Sequence, residues 1–357
     1  MPLHPHLQRL RDTAQRTLPE PLWQHLQQGA HDAEGSLPSV FDAEALTPRP
    51  LRALAHGHTQ LQLWQQALAH PILLAPMAYA RLFHEVGEGG LAMAATAQGS
   101  TAITSSLASQ SLAHIADAHR QGLSPDDAHL QQAGASPAAS APWFQLYWQG
   151  SRTATEALLQ RALHSGAPVV VFTVDAPIKP WSLQLPEGIE AVNLPEPDVD
   201  APDSGHVFDH WMAQAPIWAD VHWLRQVCPV PLVIKGLLHP DDALQAQALG
   251  LDGIVVSSHG GRVLAGAPSV LTALRAMRQV LAPHMVLLAD SGIRSGRDVF
   301  VALQAGAQAV LVGRPAVWGL AAQGALGVAQ VLRILRDELE MTMALMGCAT
   351  LADIRAS

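Results

Sequence analysis

Residues 285–313, MVLLADSGIRSGRDVFVALQAGAQAVLVG, join two short apolar runs through a stretch of helical character. MVLLAD and QAVLVG are apolar along nearly their whole length, which is typical of strands that are buried on both faces. The segment between them, SGRDVFVALQAG, is a predicted helix. A strand, a helix and a second strand in this order predict the βαβ unit of a parallel sheet.

The same alternation runs through most of the chain from residue 71 onward. Helical stretches such as RTATEALLQRALHSG and HPDDALQAQALG separate further apolar runs. The eight predicted strands are PILLAPM (71–77), TAITSS (101–106), WFQLY (143–147), PVVVFTVD (168–175), PLVIKG (231–236), DGIVVSS (252–258), MVLLAD (285–290) and QAVLVG (308–313). Eight buried parallel strands that alternate with helices predict an α/β fold, the closed (β/α)8 or TIM barrel, and a doubly wound open sheet is the alternative.

The rest of the chain is predicted to extend this barrel. Residues 1–70 form an amino-terminal extension, in which QRLRDTAQRTL and PLWQHLQQGA have helical spacing and TQLQLWQQAL alternates like a short hairpin. Two connections are long, 107–142 and 178–222. The second follows the fourth predicted strand, so we expect it to be a loop over the active site. We interpret residues 1–357 as a single barrel domain.

Composition and charge restrict the classes of function. Of the 357 residues 49% are apolar and 14% are charged, as in folded globular proteins. The net charge of −9 disfavours nucleic acid and anionic membranes as partners, because both bind clustered Lys and Arg. Cys228 and Cys348 lack the spacing of a disulfide framework or a zinc site, so we expect no metal and a cytoplasmic protein. Neither a signal peptide nor a membrane span is predicted.

The predicted strands end in residues that carry chemistry. In a parallel barrel the carboxyl ends of all strands meet at one mouth, so we expect these side chains to converge. They include a tyrosine, an aspartate, a lysine, a histidine and an arginine: Tyr147, Asp175, Lys235, His259 and Arg262. The glycine-rich turns after the last two strands, with Arg294 and Arg314, are typical of the phosphate site of such barrels.

The segment IVVSSHGGRVL, residues 254–264, resembles the SNHGGRQL signature of the FMN-dependent α-hydroxy-acid oxidases and dehydrogenases. Further segments are similar to this family in the same order: APMAYARLFHEVGEGGLAMAATAQGSTAITSSLAS, WFQLYWQGSR, FTVDAP, LVIKGLLHPDDA, LLADSGIRSGRDVFVALQAGAQAVLVGRP and LRDELEMTMALMGC. The resemblance extends from about PLWQHLQQGA to the end of the chain. It implies a TIM barrel, FMN as the cofactor and a homo-oligomer, commonly a tetramer.

The resemblance places FMN across the mouth of the barrel. It implies a phosphate site at Asp290, Gly292, Arg294, Gly313 and Arg314. It implies an isoalloxazine site at Met77 and Ala78, with Ser105, Gln145, Thr173 and Lys235 at the polar edge of the ring. A fixed ammonium at Lys235 suits this place, because reduction puts negative charge on the N1–C2=O region of a flavin.

The resemblance also implies roles for four residues toward the substrate. His259 resembles the catalytic base of the family, and a histidine suits this task because it accepts protons near neutral pH. Asp175 is similar to the aspartate that orients this imidazole. Arg262 resembles the arginine that binds the substrate carboxylate, and Tyr147 is expected to donate a hydrogen bond to the substrate oxygen.

Three positions depart from the family pattern. His25 stands where an amino-terminal tyrosine is usual, and Leu107 stands where a tryptophan follows SS. The usual second arginine after TVDxP is missing; Trp181 and Ser182 lie near its place, with Lys179 shortly before them. We therefore expect His25 and Lys179 to help bind the carboxylate, and Leu107 and Trp181 to favour a larger or more apolar side chain than that of glycolate or lactate.

The sequence thus predicts a small-molecule enzyme, an FMN-dependent (S)-2-hydroxy-acid oxidase or dehydrogenase that forms a 2-oxo acid. It leaves the electron acceptor open among oxygen, a quinone and a protein. Two alternatives remain: an FMN oxidoreductase for a non-carboxylate or otherwise atypical hydroxy substrate, and a flavin-binding protein without catalysis.

Overall fold

A computed structural model describes residues 3–29, 40–123, 141–176, 185–195 and 207–356. Its first two strands, β1 (Leu61–Leu63) and β2 (Gln66–Leu68), pair antiparallel as the hairpin that the alternation in TQLQLWQQAL predicts. The hairpin lies against one end of the main sheet. There the rings of Trp64 and Trp143 meet edge to face, with their centroids 5.3 Å apart.

The main sheet has eight parallel strands. They are β3 (Ile72–Leu74), β4 (Ile103–Ser105), β5 (Trp143–Tyr147), β6 (Val170–Thr173), β7 (Leu232–Leu237), β8 (Gly253–Val256), β9 (Val286–Ala289) and β10 (Ala309–Val312). Strands β4 to β10 follow one another in chain order, and β3 pairs with β10. A parallel bridge between Leu74 and Ala102 joins β3 to the residue before β4 and brings the sheet round to a nearly closed barrel. The predicted TIM barrel is confirmed, and the open-sheet alternative is wrong.

Alternate residues of each strand belong to different layers of the core. In β6, Val171 belongs to the same buried cluster as Leu288 and Leu311 of other strands. Val170 and Phe172 instead belong to the larger cluster that the helices share. This alternation explains why the sequence runs are apolar at every position, since both faces of each strand are buried.

Helices surround the barrel, and two more precede it. The described α-helices are α1 (Pro5–Thr17), α2 (Glu20–Gln27), α3 (Gly87–Ala97), α4 (Leu112–Gln121), α5 (Arg152–His164), α6 (Trp218–Val227), α7 (Pro240–Ala248), α8 (Val270–Val280), α9 (Gly296–Gln304), α10 (Arg314–Met346) and α11 (Leu351–Arg355). The first two, α1 and α2, lie in the amino-terminal segment 1–70.

Helix α10 is the longest described helix, and non-helical backbone at Gln323 and Gly324 divides it. Within the described residues it is the one helix that is long and apolar enough to cross a membrane. However, 67% of its most apolar window is buried inside the protein, as in a core helix of a soluble fold. The helix ends at Met346, and the left-handed backbone of Gly347 (φ 72°) forms its glycine cap.

The two long connections differ from their predicted bounds. The connection 107–142 contains α4, where the side chain of Ser111 caps the helix by accepting a hydrogen bond from the backbone of His114. The connection 178–222 ends earlier than predicted, because α6 begins at Trp218. At this helix start the carboxylate of Asp220 accepts a hydrogen bond from the backbone of Ile217. Residues 124–140, 177–184 and 196–206 lie outside the described residues.

Candidate active site

A pocket of about 600 Å³ lies at the carboxyl ends of the barrel strands. Every residue predicted to contact FMN lines it: Met77, Ala78, Ser105, Gln145, Thr173, Lys235, Asp290, Gly292, Arg294, Gly313 and Arg314. Five residues predicted to act on the substrate line the same pocket: His25, Leu107, Tyr147, His259 and Arg262. Lys179, Trp181 and Ser182 lie outside the described residues.

Asp175 lies directly behind His259. The Nδ1–H of His259 donates a hydrogen bond to Oδ1 of Asp175 over 2.9 Å. Burial acts to raise the pKa of Asp175, but the Lys235 ammonium and the hydrogen bond from His259 outweigh it and hold the pKa below its usual value. Asp175 is therefore ionised at neutral pH, and Nε2 is the imidazole nitrogen left to exchange a proton with a ligand.

The backbone that carries His259 is unusual. His259 has φ 53°, and Gly260 and Gly261 follow with φ 67° and 77°. A left-handed conformation costs a non-glycine residue about 1–2 kcal/mol. Backbone strain of this kind is concentrated at functional sites, where the surrounding structure holds it in place.

Lys235 is a buried cation, 3% exposed, at the end of β7. Its Nζ donates a hydrogen bond to Oγ of Ser257 over 2.9 Å and lies 3.1 Å from Oδ2 of Asp290. Burial acts to lower the pKa of Lys235, but Asp290 and Asp175 outweigh it, so the pKa is raised. A buried, permanently charged ammonium at the pocket suits a ligand that gains negative charge during its reaction.

Tyr147 ends β5 and lines the pocket. Burial raises the pKa of Tyr147 to about 12. The phenol therefore keeps its proton at neutral pH and can donate a hydrogen bond to an oxygen in the pocket.

Two buried polar atoms of the pocket lack a hydrogen-bond partner within the described structure: Nε2 of Gln145 and Oγ1 of Thr173. The hydroxyl of Ser105 donates to Oε1 of Gln145 over 3.0 Å, which fixes the amide and leaves its Nε2 as the free donor. A buried polar group without a partner is costly, so both atoms indicate a polar ligand at this place.

The predicted phosphate end of the pocket includes Arg294. Arg294 stacks on the ring of Trp318, with its guanidinium carbon 5.5 Å from the ring centroid. The N–H groups of Arg294 and Ser295, at the start of α9, donate to the carboxylate of Asp298. An acidic side chain thus takes up these two amides, and the roles of Gly292, Arg294 and Gly313 toward the phosphate stay predictions.

Two arginines of the pocket bind the end of α2. Arg314 donates hydrogen bonds to the carbonyl oxygens of Leu26, Gln28 and Gly260. Arg262 donates to the carbonyls of Leu26, Gln28 and also His25, the last over 2.7 Å. The role of Arg314 toward phosphate and that of Arg262 toward a carboxylate stay predictions, because both guanidinium groups contact main-chain oxygens here.

Glycines allow the end of α2 to approach the loop after β8 closely. A Cβ atom on Gly29 would lie 2.6 Å from the carbonyl carbon of Gly261, and one on Gly261 would lie 2.3 Å from the oxygen of Gly29. Larger residues would push this segment away from the pocket.

His25 and Leu107 both reach the pocket. Burial, together with the charge of Arg262, lowers the pKa of His25, so its ring is neutral at neutral pH. It can thus bind a carboxylate through one N–H but not as a cation. The carbonyl of Leu107 accepts a hydrogen bond from the backbone of Tyr79, which ties two pocket loops together.

Sequence reasoning missed an apolar and aromatic part of the lining. Its members are Tyr79, Leu82, Phe83, Leu185 and Trp211. The first three lie in the run AYARLF (78–83), a few residues after strand β3, and two aromatic residues shortly after a strand are a signal that could have found them. Leu185 and Trp211 come from the long loop after β6, where no pattern marks them.

A family model described as FMN-dependent dehydrogenase matches residues 14–357 of the chain. The chain belongs to this family. An L-lactate oxidase of Alicycliphilus denitrificans is 42% identical over 330 residues, which cover 88% of this chain and 85% of that protein. A 4-hydroxymandelate oxidase of Amycolatopsis orientalis is 37% identical over 325 residues, which cover 86% of this chain and 84% of that protein. A crystal structure of mandelate oxidase with benzoyl-formic acid superposes with a TM-score of 0.81 at 34% identity, covering 98% of this chain and 96% of that chain.

FMN is the cofactor of this oxidoreductase, as the family and its relatives imply, and the pocket fits it. The polar edge of a flavin ring carries carbonyl oxygens and ring nitrogens. The unpartnered Nε2 of Gln145 and Oγ1 of Thr173 match such groups, and the Lys235 ammonium supplies the cation that reduction requires. The predicted FMN contacts thus form one continuous lining.

Proposed function

We propose that this chain oxidises a 2-hydroxy acid to the 2-oxo acid, with His259 as the base. The observation that carries the proposal is the 2.9 Å hydrogen bond between His259 and an ionised Asp175, at a pocket that also holds the buried ammonium of Lys235. The relatives support the reaction class, since they are named for lactate and 4-hydroxymandelate.

His259 takes the proton. Its Nδ1–H is bound to Asp175, so Nε2 accepts a proton from C2 of the substrate or from the C2 hydroxyl. The negative charge of Asp175 stabilises the imidazolium that results. FMN, when bound, supplies the acceptor for the two electrons that leave the substrate.

The other pocket residues bind and orient the substrate. The neutral phenol of Tyr147 donates a hydrogen bond to the substrate oxygen. In this proposal Arg262 binds the substrate carboxylate, assisted by the neutral N–H of His25; both residues line the pocket. These contacts fix C2 toward Nε2 of His259, and such orientation accounts for a large part of catalysis in general.

The apolar lining supports a substrate side chain that is larger than that of lactate. Tyr79, Phe83, Leu107, Leu185 and Trp211 surround the pocket with aromatic and aliphatic surface. Burying an aryl group against such a surface is favourable, whereas a methyl group would leave much of it in contact with water. We therefore propose an aryl or long-chain (S)-2-hydroxy acid.

A second candidate keeps FMN and His259 but acts on a hydroxy substrate without a carboxylate. It is favoured by the contacts of Arg262, whose guanidinium already donates to three carbonyls at and just beyond the end of α2. A substrate carboxylate must compete with these oxygens, whereas a neutral amide or ester need not.

An anaerobic titration tests the proposal. The purified protein with bound FMN is mixed with (S)-mandelate, (S)-lactate and (S)-mandelamide, and bleaching of the flavin absorbance is followed. We expect the specificity constant for (S)-mandelate to exceed that for (S)-lactate by about tenfold or more. Bleaching by mandelamide alone favours the second candidate, and no bleaching by any 2-hydroxy acid refutes the reaction.

A variant at Leu107 checks the pocket argument. Leu107→Trp adds bulk to the lining, so it should lower the rate with (S)-mandelate more than the rate with (S)-lactate. Leu264→Trp is the matched control, since Leu264 is 67% exposed and is not among the residues that line the pocket. Equal losses with both acids for Leu107→Trp would contradict the proposed side chain.

A further inference from the structure

The loop that carries His259 is held by the hydroxyl of Ser291, a residue on the neighbouring strand end. Oγ of Ser291 accepts hydrogen bonds from the N–H of Gly260 over 2.9 Å and from the N–H of Ser258 over 3.3 Å. The same hydroxyl donates its own proton to Oδ1 of Asp290 over 2.7 Å. The residues on both sides of His259 are thus tied to one oxygen atom.

A second serine completes the attachment. Ser257 is fully buried, and its Oγ accepts hydrogen bonds from the N–H of His259 over 3.0 Å and from Nζ of Lys235 over 2.9 Å. Lys235 in turn forms the ion pair with Asp290. Three successive amides therefore end on two hydroxyls, and both hydroxyls connect to the same buried ion pair.

The conformation of Ser291 indicates that the hydroxyl is what this position requires. Ser291 has φ 69°, in the left-handed region that favours glycine, and Gly292 follows with φ 95°. A glycine would adopt this backbone at lower cost. A serine is nevertheless present, and its side chain makes three hydrogen bonds.

We propose that Ser291 is a positioning residue, which keeps His259 in its left-handed conformation and thereby aims Nε2 at the substrate. The inference rests on the proposed role of His259 as base. Ser291 acts through the backbone on either side of His259, not through the imidazole, which Asp175 orients independently.

Two substitutions at Ser291 separate the hydroxyl from the backbone. Ser291→Ala removes the hydroxyl but keeps a Cβ atom, whereas Ser291→Gly removes the hydroxyl and also relieves the left-handed backbone. Ser258→Ala is the matched control, because no hydrogen bond of the Ser258 side chain occurs in the described structure. Each holoenzyme is mixed anaerobically with an (S)-2-hydroxy acid in a stopped-flow instrument.

We expect both Ser291 variants to lower the limiting rate of flavin reduction about tenfold, which corresponds to about 1.4 kcal/mol. The dissociation constants of substrate and FMN should stay within about threefold of the wild-type values, since the change concerns orientation and not binding. Hydrogen–deuterium exchange of the amides in residues 258–262 should be faster in both variants, and Ser258→Ala should match the wild type in rate and exchange.

Three results would overturn the inference. The first is a wild-type rate of flavin reduction in Ser291→Ala. The second is a slow Ser291→Ala beside a Ser291→Gly that reduces at the wild-type rate, and the third is unchanged amide exchange in both variants. The second would show that backbone strain, not the lost hydroxyl, slows the reaction. If no 2-hydroxy acid reduces the FMN bound to the wild-type protein, the proposed function is refuted instead. The exchange measurement would still report whether Ser291 holds the loop.

Discussion

Replacing Asp175 by asparagine tests the pair on which the proposed chemistry depends. The asparagine has nearly the same shape, and its amide oxygen can still accept the hydrogen bond that His259 donates over 2.9 Å. What disappears is the negative charge beside the imidazole. That charge is present in the native protein, because Lys235 and His259 lower the pKa of Asp175 against the effect of burial.

The expected loss follows from the kind of hydrogen bond that is changed. Hydrogen bonds to charged groups contribute about 1.5–3 kcal/mol, and neutral ones about 0.5–1.5 kcal/mol. The imidazolium that forms when His259 takes a proton loses this charged partner. Because the asparagine keeps a neutral hydrogen bond, only the difference of about 1–1.5 kcal/mol is lost, and the rate of flavin reduction falls about 5- to 13-fold.

The assay is anaerobic stopped-flow reduction of the bound flavin at saturating substrate. Asp252→Asn is the matched control, since Asp252 pairs with Arg225 at 2.6 Å outside the pocket. The control should reduce at the wild-type rate. The reasoning is wrong if Asp175→Asn keeps its FMN and still reduces within about threefold of the wild-type rate, because a charged partner of the base would then contribute almost nothing.

Two further predictions concern glycine and tyrosine. A Cβ atom on Gly236 (φ 108°) would lie 2.4 Å from Cβ of Asp175, whereas one on Gly250 (φ 73°) would meet nothing within 4 Å. Gly250→Ala should lower the free energy of unfolding in urea by about 1–2 kcal/mol. Gly236→Ala should lower it more and should also slow flavin reduction in the stopped-flow assay. Equal losses of stability and equal reduction rates in the two variants would contradict this. Tyr79 and Tyr147 are the only tyrosines in the chain, and burial raises the pKa of both, that of Tyr147 to about 12. The unfolded chain releases these protons near pH 10, so the free energy of unfolding should fall as the pH rises from about 10 toward 12. Phenolate absorbance in the native protein near pH 10 would refute this prediction.

The barrel could be predicted because burial on both faces leaves a direct trace in the sequence. The run VVVF (169–172), which overlaps β6, has no polar position, and eight such runs between helices admit few folds. The helix Leu112–Gln121 was not predicted, because it shares its connection with the Ala-, Ser- and Pro-rich segment that follows it. The start of the helix at Trp218 was also missed, since an aspartate inside the helix, Asp220, caps it.

The sequence could predict which residues meet at the candidate site, but not the hydrogen bonds that connect them. Topology forces the ends of parallel strands to one mouth, so Lys235 and His259 converge whatever their exact rotamers. The partners of each side chain depend instead on local backbone geometry. The bonds that Ser291 accepts require its φ of 69°, and no spacing in the sequence indicates that value.

The amino-terminal extension adds a contact that motif reasoning did not anticipate. The carbonyl oxygens at the end of a helix carry partial negative charge, and α2 points that end at Arg262 and Arg314. Both cations are thereby compensated without an acidic side chain among these contacts. A substrate carboxylate that approaches Arg262 would replace the partial negative charges of these carbonyl oxygens with a full negative charge. The carboxylate can therefore compete for the guanidinium, which stays paired throughout. The extension therefore holds Arg262, the cation proposed to bind the substrate carboxylate, through main-chain oxygens, whereas an acidic side chain in their place would repel an acidic substrate.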